Sequence, residues 1–264
     1  MTLLRRAVRH RLMRLLATAA IAPLLLLAAS CNTGVECLHC QDIVSTIPWT
    51  APESHTYTLT QDGQTKGKMT LSITKDGDAF ALEQNSVDDK GNSDVSVVRA
   101  DQLTLKPRAY HREVIDADQK RVLDVTYDGV DTSKCKTGQQ AQITQTTFQP
   151  PARSEPNSTR KIPVCVPENS YENDSSLFLW RTIKFEKGWT ANYRTMLSNR
   201  GDLRQTVVIS VVQQQKLKVG GSQVDAWLVT MEADQSQQRG WFATTPDHRL
   251  LRYSNGSLTF DITQ

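Results

Sequence analysis

The chain has 264 residues, 38% hydrophobic and 22% charged, with 31 Lys and Arg against 28 Asp and Glu; this ordinary globular balance excludes a disordered chain. Five of the basic residues, Arg5, Arg6, Arg9, Arg11 and Arg14, precede the first acidic one, Glu36, and without residues 1–30 acidic side chains outnumber basic ones. A nucleic-acid surface thereby loses its support. The longest apolar run, Leu15 to Ala29, falls short of the roughly 20 residues a spanning helix needs, which excludes a polytopic transporter or channel.

The first element is a leader over 1–30, with a basic start, an apolar stretch from Leu15 to Leu27 and the small residues Ala28, Ala29 and Ser30. This three-part pattern is that of a secretory signal. Because Cys31 follows, Leu27-Ala28-Ala29-Ser30-Cys31 resembles the lipobox of bacterial lipoproteins. The resemblance implies cleavage before Cys31, a diacylglycerol on its sulfur and acylation of the new amino terminus. At about 0.8 kcal/mol per buried CH2, two or three acyl chains hold a protein on a bilayer almost permanently. The implied location is a bacterial membrane, with the polypeptide on its extracytoplasmic side at the cell surface or in the periplasm. The alternatives are an ordinary signal peptide ending in a chance cysteine and, from Arg5-Arg6, twin-arginine export.

Residues 31–54 have little periodicity and read as a lipid-anchored tether. Beyond Cys31, the cysteines Cys37, Cys40, Cys135 and Cys165 make an even set in an exported chain, so two disulfides are expected. Closeness in sequence favours Cys37 with Cys40 and Cys135 with Cys165. The second bridge closes a loop of about 30 residues, worth roughly 3–4 kcal/mol in the chain-entropy model. Cys37-Leu38-His39-Cys40 can also be read as a redox dithiol or half of a metal site.

From His55 onward the hydrophobic period is two. Tyr57 and Leu59, then Met69, Leu71 and Ile73, then Phe80 and Leu82 alternate with polar residues, punctuated by the turns Asp62-Gly63 and Asp76-Gly77-Asp78. The pattern continues through Val95, Val97 and Val98, through Leu103 and Leu105, and through Leu123, Val125 and Tyr127. Residues 131–170 break it and read as a loop insertion with one strand, Ala141 to Phe148. A short helix is predicted at Ser176 to Ile183, capped by Ser175 or Asp174. Strands resume at Ala191–Leu197, Thr206–Val212, Val224–Met231, Gly240–Thr244, Arg249–Tyr253 and Ser257–Ile262. The expected fold is mainly β, a highly curved antiparallel sheet or open half-barrel of about ten to eleven strands spanning 55–264, with one short helix and no long helix to plug it.

Several landmarks are shared with a known group: Asp62, Gly63 and Gly67; Tyr171 and Ser175 through Arg181; Phe185 and Gly188; Gly220, Gly221, Asp225, Ala226 and Trp227; Trp241 and Phe242; and His248 through Tyr253. Their order is similar to an uncharacterised family of exported bacterial proteins, a domain of unknown function related in fold to the lipoprotein carriers LolA and LolB. The resemblance implies an unclosed barrel around an apolar concave face, which in those carriers holds acyl chains.

The chain lacks a Gly-x-Ser-x-Gly elbow, a phosphate loop, a His-Glu-x-x-His pair and a dinucleotide fingerprint. His39, His55, His111 and His248 are scattered, and Asp76 with Asp78 suits a hairpin turn. A non-enzymatic protein without cofactor or metal is therefore expected. Trp180, Trp189, Trp227 and Trp241 are the candidate ligand-binding residues, since tryptophans gathered on one sheet face can line an apolar pocket; plain core is the competing reading. The expected partners are a bilayer through acylated Cys31 and either a hydrophobic small molecule or acyl chain, or an envelope protein.

Overall fold

A computed structural model describes residues 40–127, 135, 138–201, 203–233 and 236–263. The leader, Cys31, Cys37, His39 and residues 131–134 and 136–137 of the expected insertion lie outside the described residues. The chain forms a first meander of β1 (Glu53–Gln61), β2 (Gln64–Asp76), β3 (Ala79–Asp88), β4 (Ser93–Asp101), β5 (Pro107–Ile115), β6 (Lys120–Thr126), β7 (Gln139–Phe148) and β8 (Ser158–Val166). A second follows: β9 (Ser170–Glu172), β10 (Thr190–Leu197), β11 (Leu203–Val219), β12 (Ser222–Ala233), β13 (Ser236–Ala243), β14 (Leu250–Ser254) and β15 (Leu258–Ile262). β15 pairs with β1, in a register that sets Leu59 opposite Phe260, and so joins both meanders into one 15-stranded sheet running from β8 to β9. Pairing is antiparallel except between β9 and β10.

The period-two reading explains the sheet's inner face. Met69, Leu71 and Ile73 of β2, Phe80 and Leu82 of β3 and Val229 and Met231 of β12 are buried in one continuous core, as alternation toward a single wet face requires. The strand count exceeds the ten to eleven expected. β8 reads Ser-Thr-Arg-Lys-Ile-Pro-Val-Cys-Val; its first four residues are exposed and only Ile162, Val164 and Val166 turn to the core, so the alternation is too short to mark a strand. Residues 139–166 are therefore a regular hairpin of the sheet rather than a loop insertion, and Cys135 and Cys165 form a disulfide at its base. In β4 the buried phase is Ser96, Val98 and Ala100, which leaves Val95 and Val97 on the other side. Leu103 and Leu105 belong to a turn, not a strand: the Asp101 carboxylate accepts from the amides of Leu103 and Thr104, and Leu103 is 81% exposed.

The helix is shorter than predicted. α1 (Ser176–Leu179) is a single turn between 3-10 turns at Asn173–Ser175 and Trp180–Thr182. Neither Ser175 nor Asp174 caps it with a side chain; Ser175 Oγ instead donates to the Glu172 carbonyl at 2.7 Å. The turn is held by burial, since Phe178, Leu179 and Trp180 enter the core, each worth roughly 1.5–3 kcal/mol.

A second irregular segment packs beside it. Ile43 and Trp49 are buried in the same core, the amides of Ser45 and Thr46 donate to the Thr182 carbonyl at 2.8 and 3.1 Å, and Gln41 donates to Asn192 at 2.9 Å. Residues 40–54, read from sequence as tether, thus pack onto the domain. Arg181 fastens this region: it donates to both Glu53 carboxylate oxygens at 2.6 and 3.2 Å and to the Asp247 carbonyl at 2.9 Å. Burial alone would raise the Glu53 carboxyl, but the bonds from His55 and Arg181 win and hold it at about 2.

Candidate functional site

A cavity of about 400 Å3 opens where α1 meets the inner faces of both meanders. One wall is aromatic. Trp180 lies nearly parallel to Tyr253, with ring centres 6.3 Å apart, and Tyr253 to Phe260 at 5.0 Å, so the three form a stack. Hydrogen bonds orient it: Trp180 Nε1 donates to the Tyr193 hydroxyl at 2.6 Å, and the Tyr253 hydroxyl donates to Gln238 Oε1 at 2.8 Å. Burial pushes the Tyr253 phenol up to about 12. Leu177, Val207 and Met231 complete the apolar lining.

The rest of the lining is polar, with Gln84 and Arg112 from the first meander and Asn173, Asp174, Thr195 and Gln238 from the turn and the second meander. Arg112 of β5 donates to both oxygens of Asp94 at 2.8 and 2.6 Å, and its remaining terminal nitrogen lies 3.7 Å from Asp174. Burial works against its charge, yet Asp94 and Asp174 hold it protonated above the ordinary arginine range. Asp174 also accepts from the Tyr110 hydroxyl at 2.5 Å, and Gln84 donates to the Asp174 carbonyl. Behind this wall the fully buried Glu172 accepts from Tyr127 at 2.5 Å and Ser198 at 2.7 Å. Burial outweighs those two donors and, with Asp174 nearby, pushes the Glu172 carboxyl up to about 8. Arg112 also lines a second cavity of about 400 Å3 over β5 to β7, with Arg121, Leu123, Gln145 and Thr146.

The four tryptophans do not gather. Trp180 lines the cavity. Trp189 and Trp227 are half-buried against the main core, Trp227 at 6.2 Å from Phe185. Trp241 packs on a separate cluster of Leu217, Val219, Ala226, Ala243 and Leu251, and its buried indole nitrogen has no hydrogen-bond partner among the described residues. Sequence reasoning missed Tyr193, Tyr253, Phe260 and Arg112. A signal for Tyr253 was at hand, because it ends the shared stretch from His248.

His55, His111 and His248 lie outside the cavity lining: His55 is 3.0 Å from Glu53, His111 is 2.7 Å from Asp124, and His248 stacks on Phe185 at 4.0 Å. Cys40 is held in a disulfide. Among the described residues, no three His, Cys, Asp or Glu side chains gather as a metal site requires.

A family model described as a protein of unknown function (DUF3108) matches residues 56–263. The chain belongs to this family. The match begins inside β1 and ends just past β15, so the family's unit is the 15-stranded sheet with its cavity. No curated protein matches the chain. One solved structure that resembles it is the beta-barrel-like protein of domain of unknown function DUF1849 from Brucella abortus. It is 12% identical over 84% of this chain and 100% of that one, with a TM-score of 0.33. Another is the hypothetical lipoprotein YmcC from Escherichia coli K12, 12% identical over 80% of this chain and 86% of that one, with a TM-score of 0.27.

Proposed function

We propose that the protein is a membrane-anchored extracytoplasmic lipoprotein whose β domain binds a small amphipathic molecule without catalysing a reaction on it. The observation that carries the binding role is the cavity of about 400 Å3, with an aromatic stack on one side and polar side chains on the other. Small-molecule sites have roughly 300–1,000 Å3, an apolar lining and a few placed polar groups. The polar wall favours an amphipathic occupant over a purely apolar one. The anchoring role rests on the leader and Cys31, which would supply the bilayer contact.

Intact mass of the detergent-extracted protein beside a Cys31→Ser variant tests the anchor: diacylglycerol and acyl mass should begin at Cys31 and vanish in the variant. An unmodified mass with cleavage elsewhere would overturn it. Native mass spectrometry of the same extract tests binding, with a noncovalent adduct expected. A second reading, an envelope interaction module, draws on the inner face being largely filled by the chain's own Ile43, Trp49, Phe178 and Leu179. It predicts no adduct and co-purification of a partner protein.

A further inference from the structure

Most of the polar lining of the cavity is neutral. Gln84, Asn173, Gln205, Gln238 and Asn255 line it with carboxamides, and Thr195 lines it with a buried hydroxyl that has no hydrogen-bond partner among the described residues. Its charged lining residues, Arg112 and Asp174, belong to one network with Asp94. A carboxylate or phosphate head group entering here would have to draw Arg112 away from an acid that already takes two short hydrogen bonds from it, leaving Asp94 without its partner. The Gln84 amide already donates to Asp174 and the Gln238 oxygen already accepts from Tyr253, which leaves the Gln84 oxygen to accept and the Gln238 amide to donate; ligand hydroxyls do both, so this lining suits a hydroxyl-rich molecule without net charge.

The aromatic side selects shape. Tyr253 is covered on both faces by Trp180 and Phe260, so Phe260, the half-buried end of the stack, is the ring with a face left to pack against a flat, C–H-rich surface. At about 30 Å3 per water, the volume is that of roughly a dozen waters. That is room for a mono- or disaccharide rather than a lipid with several acyl chains.

We infer that the ligand is a neutral saccharide, its C–H face on the aromatic stack and its hydroxyls on the carboxamides and Thr195. The inference rests on the proposed binding role of this same cavity.

Calorimetric titration of the detergent-solubilised full chain with maltose, cellobiose and diacetylchitobiose, and separately with dodecanoate, tests it. At least one disaccharide should bind saturably at about 1 mM or tighter. Its affinity should be the same at about 0.05 and 0.5 M salt, because no ion pair is made with the ligand. Phe260→Ala and Gln238→Leu, each checked for native thermal unfolding, should weaken binding at least about tenfold. Disaccharide binding unchanged in both variants would place the sugar elsewhere and overturn the inference. Dodecanoate binding alone would overturn the saccharide class while leaving a small-molecule site in place. Binding of none of the four probes, with no adduct in native mass spectrometry, would overturn both.

Discussion

The two meanders share one sheet but are stabilised differently. The first is laced with ion pairs: Arg99 with Asp76, Arg108 with Asp78 and Asp101, Arg112 with Asp94, Lys120 with Glu113. Both bury aromatic rings, but ring-to-ring contacts concentrate in the second: Tyr193 with Tyr171, Trp227 and Phe242 with Phe185, and Tyr253 with Trp180 and Phe260. The cavity lies where they meet, taking Gln84 and Arg112 from one and its ring stack from the other. An amphipathic site can thus arise from two halves that each follow a simple rule, without any local motif that encodes it.

Removing the packing of the aromatic half should have the largest effect. Phe242 is fully buried, and Phe242→Ala should cost about 3–5 kcal/mol in urea unfolding. A cost below about 1 kcal/mol would show that this half does not depend on its rings. Arg181→Met, which cuts the tie from the buried turn to Glu53 and Asp247, should cost roughly 3 kcal/mol by stranding the Glu53 charge. Gly240→Ala tests the fit more finely. A Cβ there would lie 2.5 Å from the Phe242 ring, and with no room for that ring to retreat the loss should be about 1–3 kcal/mol. The exposed pair of His111 with Asp124 in the charged half should matter least, so His111→Ala should change stability by less than about 1 kcal/mol.

Acid and base separate the buried carboxyls. Glu172 is pushed from 4.5 to about 8 in the fold, so its contribution is full below about pH 4.5 and is lost as pH rises through 8. Glu53 is held at about 2, so its contribution is present above about pH 4.5 and is lost as pH falls toward 2. Unfolding followed from pH 5 to 9 should therefore show a decline that Glu172→Gln flattens. An unchanged slope in that variant would mean that the carboxyl is already ionised at neutral pH.

Much of the sheet was legible because alternation and turn chemistry are local. Met69, Leu71 and Ile73 declare their inner face, and Asp62-Gly63 declares its turn through positive φ at both residues. β8 was not legible, since most of its length faces water on both sides and offers no contrast. The segment from Cys40 to Pro52 was misread for a related reason: Trp49 packs between Phe80 and Arg181, and the amides of Ser45 and Thr46 bond Thr182, partners distant in sequence that no spacing reveals. The site was legible only at Trp180. Gln84, Arg112, Thr195 and Tyr253 stand on four strands far apart in sequence, and the reason they matter is their convergence.

The pairing of β1 with β15 has a consequence for the order of assembly. Thr58 and Thr263, whose hydroxyls lie 3.4 Å apart across this seam, are separated by 205 residues. A ribosome delivers β1 long before β15, so one edge of the nascent sheet stays without its neighbour until nearly the whole chain has emerged. Such distant closure slows folding and leaves a strand edge open to pairing with other chains. The seam between β1 and β15 is therefore completed only when the last strand has arrived, wherever the chain folds.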